Sequence, residues 1–178
     1  MAKIININNG TGTGELINDT YSVSASVLGY DNSSIDPSSV TITSNENTYS
    51  FTISANGTLT LHVTEDGTQG GTPVVGATFV RTDSEGNEYG SEITTDNNGN
   101  AVFNNVPYAE SNAPLVYFKQ LSSDGDHEFD NTVQNVTLTT ETYTEELENV
   151  PGATRTINLT DANYANLPIE SGELTFTN

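Results

Sequence analysis

Hydrophobic residues in this chain alternate with polar ones over short runs. In residues 58–64, Leu59, Leu61 and Val63 fall on one side of the run. Because successive side chains of a β-strand point to opposite faces, a period of two is typical of a strand with one buried face. The same reading predicts further strands at residues 3–8, 21–28, 40–43, 48–54, 77–82, 88–95, 101–104, 115–121, 133–139, 142–147, 154–160 and 173–177. Three aromatic residues on the apolar sides of these runs are predicted to enter a core: Phe51, Phe79 and Phe103.

Dipeptides that favour tight turns separate the runs. They are Asn9-Gly10, Asn56-Gly57, Asp66-Gly67, Glu85-Gly86, Asn98-Gly99 and Asp124-Gly125. Asn-Gly and Asp-Gly supply the positive φ values that tight hairpins need. Helical periodicity is nearly absent, and the one candidate helix, residues 161–166, is too short to count. Many short strands joined by tight turns predict an all-β sandwich.

The two ends of the chain resemble incomplete copies of its middle. Residues 40–43, 48–53 and 57–66 have counterparts, in the same order, in residues 136–139, 142–147 and 152–161, and residues 73–79 have a counterpart in residues 168–176. Gaps of one or two residues are needed to keep the segments aligned. Repeated segments in a fixed order indicate repeated structural units. We therefore predict an N-terminal strand with a Gly-rich hinge (1–14), the back half of a sandwich unit (15–56), a complete unit (57–150) and the front half of a unit (151–178).

Four segments of the middle region share a recognisable pattern. They are the alternating strand 57–66, the Pro-led segment 73–79, the hairpin turn within 94–103, and Asn105-Val-Pro107. With these segments the region resembles prealbumin-like modules, the group that includes the Cna B-type and carboxypeptidase regulatory-like domains. The resemblance implies a prealbumin-like or Ig-like β-sandwich, here with strand-forming N- and C-terminal extensions, and an adhesive, fibrous or scaffold role.

Many Cna B-type modules carry an internal Lys–Asn isopeptide bond, with the lysine on the opening strand. The opening strand of this chain, residues 58–63, has no lysine, and the two lysines of the chain are Lys3 and Lys119. We therefore expect no internal bond of the family type.

The charge of the chain excludes some classes of partner. Twenty-four acidic residues against four basic ones give a net charge of −20, so phosphates of nucleic acids and anionic membrane surfaces would be repelled. No apolar run is long enough to span a membrane, and the first residues lack the apolar segment of a secretory signal. We therefore expect no nucleic acid partner, no membrane insertion and no cleaved secretion signal.

Candidate chemistry is sparse. The chain has no cysteine, which excludes disulfides and thiolate metal sites. Its histidines are His62, predicted to face solvent from its strand, and His127, which lies in a carboxylate-rich loop that we interpret as a connection between strands. The sequence around Asp96 contains alternating oxygen-bearing side chains but lacks the later Glu of a calcium loop, so it predicts a hairpin turn. We expect no catalytic residue, no cofactor and no metal site, and hence no enzyme.

The terminal half-units favour a role in assembly. They can pair within one chain, pair between chains, or extend the central sandwich. Our leading hypothesis is a self-assembling subunit of an extracellular fibre, pilus-like or spore-appendage-like, whose partners are copies of itself in a homopolymer joined by strand complementation. The candidate assembly residues, on the terminal strand, are Lys3, Ile4, Ile5 and Ile7. The alternatives are a virion surface or decoration protein, which would also lie on a particle surface, and a carbohydrate-binding adhesin module.

Overall fold

The structure, a computed structural model, describes residues 2–8, 10–44, 48–164, 167–169 and 171–175. These residues form thirteen β-strands and no helix, which confirms the predicted all-β class. The strands are β1 Asp19–Ser22, β2 Asp31–Asp36, β3 Ser39–Ile42, β4 Thr52–Ser54, β5 Gly57–Thr64, β6 Thr78–Thr82, β7 Glu88–Thr94, β8 Asn100–Val106, β9 Leu115–Ser122, β10 His127–Glu128, β11 Gln134–Thr137, β12 Thr142–Glu148 and β13 Val150–Pro151.

Two sheets in the middle of the chain form the sandwich. One sheet has the order β12-β5-β8, and the other has the order β11-β9-β6-β7. β5 is the central strand of the first sheet, parallel to β12 and antiparallel to β8. All neighbouring strands of the second sheet are antiparallel.

The core lies between these sheets. Leu59, Leu61 and Val63 of β5 are fully buried, as the alternation predicts. Across from them, Phe79 of β6 and Phe118 of β9 pack edge to face, with ring centroids 6.4 Å apart. Such an arrangement stabilises an aromatic pair beyond the burial of its area. The apolar sides of the seven strands in these two sheets therefore pack into one cluster.

Two of the three predicted core phenylalanines are buried, and the third is not. Phe79 and Phe103 lie in the core, whereas the prediction for Phe51 is wrong, since 38% of this residue is exposed. Phe51 directly precedes β4, and β4 pairs only with β2 in the two-stranded sheet that the structure describes. Within the described residues no second sheet covers that side, so the alternation there has no core to enter.

The N-terminal extension holds two small antiparallel sheets, β1-β3 and β2-β4. It packs against one end of the sandwich, where the backbone N–H of Tyr108 donates to the carbonyl of Gly29 at 3.1 Å. Gly29 has a φ of +85°, and an added Cβ there would lie 3.0 Å from Pro114. A glycine is therefore required at this contact for both conformation and space.

The predicted terminal strands differ from the observed structure. Residues 3–8 form no strand, and neither do residues 154–160, apart from a bridge between Thr160 and Pro168. The strand predicted at residues 173–177 lies partly outside the described residues, and its described part is not a strand. A short isolated segment has no neighbouring strand with which to share backbone hydrogen bonds, and it therefore does not form a strand by itself.

A carboxylate–histidine cluster lies at the other end of the sandwich, beside the end of β5. His127 of β10 lies between Asp124, at 2.8 Å from Nδ1, and Glu65, at 3.4 Å from Nε2. The hydrogen bond to Asp124 is the main cause that raises the pKa of His127, and burial opposes it. The same hydrogen bond lowers the pKa of Asp124. The cluster connects the loop before β10 to the end of β5.

The first prediction concerns the core. Replacing Phe79→Ala removes a fully buried ring, and such a change typically lowers the free energy of unfolding by about 3–5 kcal/mol. Phe51→Ala deletes the same atoms at a half-exposed site and should have a much smaller effect in the monomer. Urea unfolding of both variants checks this. Equal losses would contradict the packing described above.

The second prediction concerns the His127 cluster. Its raised pKa means that the folded protein holds this proton more tightly than the unfolded chain does. The resulting stability is therefore fully present below the unfolded-state pKa of about 6.5 and is lost as the pH rises through the higher folded-state value. We expect the parent to melt at a higher temperature than a His127→Gln variant. This difference in melting temperature should be largest at acidic pH, about 5.5, and should become smaller above neutrality. Melting curves at a series of pH values measure it, and a constant difference would refute it.

Candidate assembly site

The predicted assembly residues lie on a terminal segment that folds back on itself. The N–H of Asn8 donates to the carbonyl of Thr11 at 2.9 Å, and the N–H of Thr11 donates to that of Asn8 at 3.0 Å. Gly10 has a φ of +73°, which a tight reversal allows. The Gly-rich segment predicted as a hinge therefore contains a turn.

The glycines after this turn leave room for isoleucine side chains. A Cβ added at Gly12 would lie 2.6 Å from Ile7 Cδ1, and one added at Gly14 would lie 2.9 Å from Ile5 Cδ1. Ile5 is half-buried in this way, whereas 66% of Ile7 stays exposed. The neighbouring Lys3 and Ile4 are also exposed. This segment therefore presents apolar surface that its own hairpin covers only in part.

One strand pair of the N-terminal extension resembles a pair in the back part of the sandwich. β1 pairs antiparallel with β3, as β9 pairs with β11. Sequence reasoning missed β2, β10 and β13, because none of them shows an alternation of apolar residues.

The C-terminal segment matches the front part of the sandwich. Thr160 forms an antiparallel bridge with Pro168, as Thr64 does with Pro73. Thr160 is therefore the structural equivalent of Thr64. The alignment of the repeat that the sequence suggests differs from this one by one residue.

Hydrogen bonds on both sides of this bridge agree with that alignment. Ile169 donates its N–H to the carbonyl of Leu159 at 3.1 Å, and Asp161 donates to that of Leu167 at 3.0 Å. In the sandwich the equivalent bonds run from Val74 to Val63 at 2.9 Å and from Glu65 to Thr72 at 3.0 Å.

The C-terminal segment exposes a cluster of large apolar side chains. Ile157 is 57% and Leu159 is 44% exposed. Together with Ile169 and Leu174 they line one shallow groove. Exposed apolar side chains that lie together make this groove a candidate contact surface. In the sandwich, the corresponding side chains of β5 are buried.

The remaining candidate residues have structural roles. His62 lies on the side of β5 away from the core, but it does not face solvent freely as predicted, since its side chain is 12% exposed and its Nδ1 lies 2.5 Å from Oε2 of Glu146. Asp96 accepts hydrogen bonds from the backbone of Asn98 and Asn100, which lowers the pKa of its carboxyl and forms a hairpin turn. Within the ranges that the structure describes, no three His, Asp or Glu side chains converge as metal ligands.

The groove beside Gly29 is open and polar. It has a volume of about 620 Å³ and lies between residues 26–32 and Tyr108. The polar side chains that line it are bonded within the loop. Asn32 accepts a hydrogen bond from the N–H of Val27 at 2.7 Å, and Asp31 accepts one from the N–H of Ser33 at 3.0 Å. It therefore offers few unused polar groups to a ligand.

The lysines do not occupy the position of the family's isopeptide lysine. β5 contains none. Lys119 lies on β9 and pairs with Glu88 at 2.7 Å, and Lys3 lies in the N-terminal segment. No helix long and apolar enough to cross a membrane occurs in the part of the chain that the structure describes.

Solved structures similar to this chain include two pilins. The TIE protein of Bacillus anthracis is 18% identical, with a TM-score of 0.45, over 67% of this chain and 23% of its own. GBS52, the minor pilin of Streptococcus agalactiae, is 15% identical, with a TM-score of 0.45, over 67% of this chain and 61% of its own. The major pilin SpaD of Corynebacterium diphtheriae is 18% identical, with a TM-score of 0.39, over 54% of this chain and 30% of its own.

This chain spans less than two thirds of the length of each of those proteins. No curated protein gives a significant match to the sequence. A family model does match residues 57–151, which are more than half of the chain and include both sheets of the sandwich. The chain therefore belongs to the SpaA prealbumin-like fold domain family.

Proposed function

We propose that this protein is a structural subunit of an extracellular, pilus-like fibre whose copies join by strand complementation. The observation that supports the proposal is that the N-terminal extension and the segment after Gly152 contact the sandwich near opposite ends of β5, each with strand pairs or hydrogen bonds like those of part of the sandwich. The back-half unit contacts the sandwich at Tyr108, near the start of β5. The front-half unit follows Gly152, whose N–H donates to Asp126 in the loop before β10, near the end of β5.

The distance between the two ends favours contacts between copies. β5 has eight residues, so at about 3.3 Å per residue its ends lie roughly 23 Å apart. Among the described residues, no backbone hydrogen bond joins the N-terminal extension to the segment after Gly152. Pairing within one chain would require the C-terminal segment to turn back along the sandwich.

A contact between two different surfaces of identical subunits is heterologous. Unless its rotation closes a ring, such a contact propagates into an open filament. Unpaired strand edges make the contact favourable, because their free backbone groups accept a further strand. The net charge of −20 keeps free subunits apart elsewhere on their surface. These properties suit a subunit that polymerises only at its ends.

We propose that the N-terminal segment takes part in the joint through Ile5 and Ile7 or Ile4, with Lys3 beside them. Deleting residues 1–9 should then leave a folded monomer with an unchanged melting temperature that no longer polymerises. Light scattering and negative-stain electron microscopy measure this outcome. Long fibres from the truncated protein, or a lower melting temperature in a protein that is monomeric at full length, would refute the role of this segment.

A point substitution tests the same joint without removing chain. Ile5→Asp places a charge on the side expected to be buried, and an unpaired buried charge is costly. Asn6→Asp adds the same charge to the opposite side of the segment and is the matched control. We expect Ile5→Asp to suppress polymerisation and Asn6→Asp to leave it nearly unchanged. Equal effects would show that charge alone controls assembly.

A further inference from the structure

We propose that residues 154–160 of one copy insert as the middle strand of a sheet in the next copy, between its residues 48–54 and 3–8. The inference deepens the proposed function and rests on it, since it names the donated strand, the acceptor and the register. In this joint, residues 48–54, 154–160 and 3–8 would take the places that β12, β5 and β8 have in the sandwich.

The sandwich itself supplies the template for the donated strand. Thr64 at the end of β5 is opposite Glu148 of β12 on one edge and bridges Pro73 on the other. Thr160 has the equivalent bridge to Pro168. Its other edge therefore corresponds to the edge of β5 that receives β12.

Residues 48–54 provide the matching acceptor. They correspond to β12, with Tyr49 in the place of Tyr143 and Ile53 in the place of Leu147. The last part of this segment forms β4, whose one described partner is β2. Within the described ranges, the other edge of β4 has no strand partner.

The register of the sandwich then defines which residues face each other. β12 and β5 pair Glu145 with Leu61 and Leu147 with Val63. Transferred to the joint, this register pairs Phe51 with Ile157 and Ile53 with Leu159.

These two pairs are apolar and lie on one side of the sheet. Phe51, Ile157 and Leu159 are 38%, 57% and 44% exposed in the free subunit, so the joint would cover surface that is now in water. The residues between them on both strands are polar. Cross-strand pairs of this kind stabilise a sheet, and the polar side can face solvent.

Residues 3–8 supply the third strand. They precede β1 in the chain as β8 precedes β9, and Ile7-Asn-Asn9 parallels Phe103-Asn-Asn105. β5 pairs antiparallel with β8, with Leu61 opposite Ala101. The same register places Ile157 opposite Ile5. The isoleucines that now pack on glycines would then join the new core.

The charges of the three strands also agree with this arrangement. Residues 3–8, 48–54 and 154–160 contain no Asp or Glu, in a chain with 24 of them. They contain Lys3 and Arg155, two of the four basic residues. Bringing these strands together therefore avoids the like-charge repulsion that contacts elsewhere on this surface would meet.

Cysteine cross-linking tests the register, because the parent chain has no cysteine. An Ile53→Cys variant is mixed with a Leu159→Cys variant and treated with a bifunctional thiol reagent about as long as the strand spacing, roughly 5 Å. We expect a covalent dimer in several-fold higher yield than for Ile53→Cys mixed with Asn158→Cys, in which the second thiol faces the other side. Equal yields, or no dimer, would overturn the proposed register.

The doubly substituted Ile53→Cys/Leu159→Cys chain separates pairing between copies from pairing within one. A ladder of multimers on a denaturing gel supports insertion into the next copy. A single cross-linked monomer band overturns it in favour of pairing within the chain.

Fibre formation separates this inference from the proposed function. Leu159→Asp should abolish fibres, whereas Asn158→Asp, with the same charge on the other side, should retain them. Fibres from Leu159→Asp would overturn the inserted strand and leave the fibre function standing. If the parent forms no fibres yet the Ile53–Leu159 dimer appears, the joint is supported and the fibre function fails.

Discussion

The fold depends on the burial of one face of β5 and the pairing of both its edges. This strand has a partner on each edge and a second sheet over one face, and Leu59, Leu61 and Val63 consequently lose all contact with water. An apolar strand gains its stability from that enclosure, because its backbone groups are paired and its side chains are buried together. The other strands of the sandwich are arranged around this requirement.

The terminal segments contain apolar alternation of the same kind without that enclosure. The C-terminal segment reproduces the hydrogen bonds at the end of β5, but its apolar side chains remain in water. In the N-terminal extension β1-β3 resembles the pair β9-β11, and Phe51 remains half-exposed. Exposed strand edges with apolar sides are surfaces on which natural proteins assemble.

How much could be predicted from the sequence differs between the middle and the ends. Alternation identified β5 and placed Phe79 and Phe103 correctly, because in the sandwich each apolar side meets a second sheet. It failed for Phe51, since periodicity shows which side of a strand is apolar but not whether anything covers it. It missed β2, where Asp31 and Ser34 form local side-chain hydrogen bonds in a sequence without apolar alternation. The alignment of the repeat could be fixed only from the bridge between Thr160 and Pro168, and the contact of His127 with Glu65 joins residues far apart in sequence.

The parallel pairing of β5 with β12 has a mechanical consequence. The chain enters β5 at Gly57 and leaves after β12 towards Gly152, so tension along the molecule would pull these neighbouring strands in opposite directions along their length. Seven register pairs, from Thr58 with Thr142 to Thr64 with Glu148, would then bear the load together instead of opening one after another. In that shear geometry the sandwich resists extension through many backbone hydrogen bonds at once.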